Sequence, residues 1–123
     1  MAVLTKSPIA STDLIKVLAF TASSGSDTVA LTGADDNMRI IINNANATAG
    51  QIATVTIKAG TGLLSSQGDV VMTVPISTIS TVSIVNISSA RIKKISDGTI
   101  TILVSVAAAG VVGSVTIAIV EVL

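Results

Sequence analysis

The chain has 123 residues and a mass of 12.2 kDa, the size of one domain with room for a real core. Seven basic and seven acidic residues cancel, so no long-range field draws nucleic acid or an anionic membrane surface. Cysteine, histidine, tryptophan and tyrosine are absent and Phe20 is the only aromatic residue, which excludes disulfides, thiolate zinc sites, cysteine nucleophiles and histidine bases. Val, Ile and Thr together exceed a third of the chain, and β-branched residues at that density favour a pleated backbone over a helix. Charged residues make up only 11% and mean hydropathy is +0.85. A surface so poor in charge predicts a chain that assembles with something.

Met1 to Thr12 shows little periodicity and carries Pro8. Together with Asp13 it reads as an N-terminal arm (residues 1–13), which orders only by docking on something. It holds one lysine and no apolar run, so no secretory signal is expected there. Residues 14–123 read as one domain. Asp13–Phe20 fits either a short helix capped by Thr12 or an alternating strand, of which the strand is favoured. Ser23-Ser24-Gly25-Ser26 is a turn before a short strand, Asp27–Leu31, and Gly33–Asn37 is a second turn. Met38–Asn43 is an apolar core strand followed by a polar loop, 43–50.

Ile52–Lys58 alternates most cleanly, with Ala53, Val55 and Ile57 on one face. A Gly- and Ser-rich loop spans 59–68. Asp69–Val74 ends at Pro75, which suits a strand end or a sheet edge. Ile79–Asn86 follows. Ala90–Ile95, with Arg91, Lys93 and Lys94, reads as a charged edge strand, and Asp97-Gly98 as a two-residue hairpin turn. Thr99–Val106 should point Ile100, Ile102 and Val104 inward; Ser114–Val122 should bury Val115, Ile117 and Ile119. About eight to nine short strands with turns between them predict an all-β, antiparallel sandwich of jelly-roll type.

The stretch between Asp97 and Glu121 carries no charge and is long enough to span a bilayer as a helix. Thr and Ser recur within it at two-residue spacing, and Ala107–Gly110 with Gly113 interrupts it. Two strands around a small-residue loop account for this better, so no membrane partner is expected.

Chemistry-bearing motifs are sparse. The acids Asp13, Asp27, Asp35, Asp36, Asp69, Asp97 and Glu121 fall mostly in turns, where Asp belongs by its own backbone chemistry. Asp35-Asp36-Asn37 lacks the alternating ligands of a calcium loop. Gly60-Thr61-Gly62 lacks the Gly-Lys-Ser/Thr of a phosphate loop. No histidine exists to activate a serine, and no Ser–Lys arrangement is identifiable. Arg91-Ile92-Lys93-Lys94 is the one basic cluster, without stacking aromatics beside it. Asn46-Ala47-Thr48 and Asn86-Ile87-Ser88 match the glycosylation pattern by chance. The chain therefore reads as a non-enzyme without cofactor, metal or nucleic-acid partner.

Two stretches carry a family likeness: IIINNANATAGQIATVTIKAG, and SSARIKKISDGTITILVS running to the terminal VTIAIVEVL. With Asn43, Asn44, Val74, Pro75, Arg91, Asp97 and Gly98 as anchors over roughly 27–123, the chain resembles the small β-sandwich head decoration (cement) proteins of tailed bacteriophages. ISTISTVSIV after Pro75 is longer and more apolar than that outline. The resemblance implies a virion protein on the capsid surface, made in the bacterial cytoplasm. It would add to the major capsid protein as homotrimers and stabilise the shell. Leu4, Lys6, Pro8 and Ile9 of the arm are the candidate capsid contacts. The rival expectation is a tail-tube, fibre or pilus-like filament subunit that assembles by strand exchange, with the C-terminal strand as donor.

Overall fold

A computed structural model describes residues 2–4, 6–9, 20–30, 38–62, 64–76, 83–86, 92–94, 96 and 98–122. Its strands are β1 (Ala2–Leu4), β2 (Lys6–Ile9), β3 (Thr21–Ala22), β4 (Ser26–Ala30), β5 (Met38–Asn44), β6 (Ala53–Ile57), β7 (Val70–Val74), β8 (Ser83–Asn86), β9 (Thr99–Val106) and β10 (Val115–Val122). They form two sheets. The first runs β1-β4-β9-β6-β7; the second runs β2-β10-β5-β8, with β3 also on β10. Leaving out β1 and β2, all pairings are antiparallel, and the orders β4-β9-β6-β7 and β3-β10-β5-β8 are those of a jelly roll.

The alternation in the sequence becomes the core. In the second sheet Val115, Ile117 and Ile119 of β10 stand opposite Asn44, Ile42 and Ile40 of β5, and all six are buried. The first sheet faces them with Ile100, Ile102 and Val104 of β9 and Ala53, Val55 and Ile57 of β6. Each such Ile or Val contributes about 1.5–3 kcal/mol on leaving water. β10 goes further than alternation predicts, because Ala118 and Val120 on its other face are buried as well. The apolar stretch that resembles a membrane span is thus two strands, β9 and β10, in different sheets. Among the described residues no helix is long and apolar enough to cross a membrane.

The described part of the N-terminal arm is extended and docks on this chain's own sheets. β1 pairs parallel with β4 (Ala2↔Asp27 to Leu4↔Val29), and β2 pairs parallel with β10 (Lys6↔Ile119 to Val122↔Ile9). The arm therefore clamps the sandwich by adding one strand to each sheet. The expected element over Asp13–Phe20 lies outside the described residues except for Phe20, which is in no strand.

The expected edge strand over Ala90–Ile95 is not formed at its described positions. Residues 92–94 are not in a strand, and Ile92 is buried at 3% exposure within the core cluster. The Lys94 N–H donates to Thr99 O and the Gly98 N–H to Lys94 O, both at 2.8 Å. β8 and β9 belong to different sheets, so the turn at Gly98 links an end plug to β9 and does not join two paired strands.

The β9–β10 connection carries a visible local strain. The Gly110 N–H donates to Ala107 O at 3.0 Å, and the two residues between, Ala108 and Ala109, have φ of 54° and 58°. Two left-handed residues in succession define a type I′ turn, which favours Asn-Gly. An alanine there carries a Cβ penalty of roughly 1 kcal/mol. Ala109→Gly is therefore expected to raise stability by about 0.5–1 kcal/mol, read as a higher urea midpoint at unchanged slope. A lower midpoint would show that the turn is not strained in this way.

Candidate interaction surface

Three polar clusters are built into the ends of the sandwich, and each is consumed by the fold. Asp27, at 0% exposure, points inward from β4. Its Oδ2 accepts from Ser23 Oγ at 2.6 Å; its Oδ1 accepts from Ser24 Oγ at 2.9 Å and Ser24 N at 3.1 Å. Ser23 Oγ in turn accepts from the Gly25 N–H at 3.1 Å. The turn Ser23–Ser26 is thereby tied into the core by a carboxyl group. Asp27 lies in the strand, as its sequence position implies, and serves as the buried anchor of the serine turn before it.

At one end of the sandwich, Asn44 and Asn46 stitch three segments together. Asn44 Nδ2 donates to Gln51 O at 2.8 Å and Val74 O at 3.1 Å, while its Oδ1 accepts from Asn46 Nδ2 at 2.7 Å. Asn46 Nδ2 also donates to Val111 O at 3.1 Å, and its Oδ1 accepts from Val111 N at 2.8 Å. The Asn-rich loop is an internal latch across 65 residues of sequence, and both N–H groups of the Asn46 amide are spent within the fold.

The other end is closed by the β6–β7 hairpin. Lys58 Nζ and the Ala59 N–H both meet Asp69, at 2.8 and 2.7 Å. The Lys58 and Asp69 side chains are 44% and 31% exposed, so this ion pair contributes little beyond fixing the hairpin base. Gly60 and Thr61 lie against residues 92–93, with the Thr61 N–H on Lys93 O at 3.1 Å. That contact accounts for Gly60 without any phosphate.

Among the described residues no ligand-sized pocket opens, and no group of three or more acidic side chains is placed to hold a metal ion. What the structure offers instead is a surface. The outer face of the first sheet carries Ser26 and Thr28 from β4, Thr101, Leu103 and Ser105 from β9, Thr54 and Thr56 from β6, and Val71 and Thr73 from β7. The registers align them in rows, Thr28 beside Thr101, and Ser26, Leu103, Thr56 and Val71 in line. These strands point no charged side chain outward. Val3 and Val71, at 70% and 62% exposure, flank the face at its two edges. Thr101 Oγ1, in its middle, is buried with no hydrogen-bond partner.

The four candidate contacts of the arm are brought to two places. Leu4 is buried at 3% exposure in the core under β1. Lys6, Pro8 and Ile9 lie in β2 along the C-terminal half of β10, at Ile119, Glu121 and Val122. The sequence alone does not mark the charge-free outer face as one surface. Its signal is present in Thr54-Val55-Thr56 and Thr99-Ile100-Thr101, but only the strand order shows that they share one face.

The architecture defines a class, a jelly-roll β-sandwich. Compared with protein families, with curated proteins and with solved structures, the chain finds no match.

Proposed function

We propose that the protein is a structural component of a tailed-bacteriophage virion that decorates and stabilises the capsid exterior, as trimers on the major capsid protein. The observation that carries this reading is the outer face of the first sheet, aligned in register, rich in Thr and Ser, and without charge on its strands. Such a face suits burial against another protein, where many identical weak contacts act together on a lattice. The resemblance in the Asn-rich loop and the terminal strands supports the same role. An absence of aromatic sugar platforms argues against a carbohydrate-binding sandwich.

The test is co-sedimentation of the purified protein with expanded capsids of a tailed phage that lack their decoration protein. Saturable binding and a raised capsid melting temperature are expected, with Val71→Asp binding at least tenfold more weakly, since a buried unpaired charge costs well over 1.4 kcal/mol. No binding to such capsids, with open polymers formed by the protein alone, would favour the tube or filament reading. For that reading β10 is not available as a free donor. β5 covers one of its edges and β3 with β2 the other.

A further inference from the structure

We infer that residues 2–9 are an exchangeable strap, and that the strand edges they cover accept the same segment from a second copy of this chain. The jelly roll is complete without β1 and β2, which join it only at the edges and only in parallel. β1 covers Asp27–Val29 of β4, and β2 covers Ile119–Val122 of β10, next to the stretch Thr116–Ile117 that β3 covers. Without the strap both strands would present unpaired backbone groups, a ready template for another strand. The occupant is thus defined by the structure itself, since the site is already seen filled by this chain's own N-terminus.

Three features make the strap detachable. Its pairings are short, three residues on β4 and four on β10, and parallel pairing is the slightly weaker kind. Its described core anchor is Leu4 alone, since Val3 is 70% exposed. Its tether is longer than closure needs. Ile9 pairs with Val122 and Thr21 with Ile117, points five residues apart on β10, or about 17 Å. The twelve chain steps from Ile9 to Thr21 can reach up to about 40 Å. The same strap can close on its own sandwich or cross to a neighbour.

Concentration decides between the two. As part of the same chain, the strap meets its own edges at an effective concentration of the order of millimolar, so the closed form dominates in dilute solution. Exchange is favoured where copies are packed at comparable density, as in any ordered assembly. The inference does not rest on the capsid reading, because it is tested on the purified protein alone.

The chain has no cysteine, which makes the test direct. Val3 and Thr28 are register partners that both point outward. Full-length Val3→Cys and Thr28→Cys variants are mixed over a range of concentrations and treated with a short thiol-to-thiol cross-linker. The expected product is a dimer joined from position 3 to position 28, identified by peptide mass. Its yield should rise with concentration and stand several-fold above the dimer formed by either variant alone. The double variant in one chain should instead join internally when dilute. Should Thr28→Cys impair folding, Ala30→Cys at the exposed end of β4 replaces it. Internal joining at every concentration, with no excess dimer in the mixture, would overturn the inference.

Discussion

Asp27→Ala is expected to destabilise the protein by about 4 kcal/mol, because a buried acceptor of several donors is lost at once. The carboxyl group accepts three hydrogen bonds from Ser23 and Ser24. Ser23 is only 5% exposed, so its hydroxyl would lose its acceptor where water has little access. The substitution also removes volume from the inner row in which Asp27 stands beside Ile102. Asp27→Asn should recover little, since its amide N–H groups would face donors. Urea unfolding measures the effect, and the expected loss corresponds to a melting temperature lower by roughly 12 °C. A loss under about 1 kcal/mol would mean that the serine turn is not anchored by this carboxyl.

Gly60→Ala is the second large effect, about 3 kcal/mol. A methyl group at position 60 would overlap the backbone carbonyl of Lys93 and lie within 2.6 Å of the carbonyl carbon of Ile92. Backbone cannot rotate away as a side chain can. The plug at 92–94 must shift, taking the buried Ile92 with it. Gly113→Ala is the matched control, since its nearest neighbour would be Val111 Cγ1 at 3.9 Å, an ordinary contact. Equal stability of the two variants would show that the plug is not seated on the hairpin.

These two residues also mark the limit of what the sequence discloses. Strands such as Ala53–Ile57 and Thr99–Val106 are legible because period-two alternation is a local signal, and their inward sets are the buried ones. Asp27 is not legible in this way: an acid next to Ser and Gly has the same local chemistry whether it caps a turn or plugs a core. Gly60 is likewise silent, because its reason lies 33 residues away at Lys93. The charged run Arg91–Lys94 follows the pattern of a guarded edge, yet Ile92 within it is captured by the open end of the sandwich. Surface patches are the least legible, since Thr56 and Leu103 become neighbours on one face only through the order of β6 and β9.

The pairing of β2 with β10 sets a constraint on the order of events during synthesis. Lys6 lies opposite Ile119, so it must wait for a partner made 113 residues later. At about 5–20 residues per second that wait lasts many seconds. β9 and β10 also hold together strands made long before them, β4 with β6 and β5 with β3. Neither sheet can therefore close before β9 and β10 have been made. The β6–β7 and β5–β8 pairs can form early, but the sandwich is completed in one late, slow, non-local step.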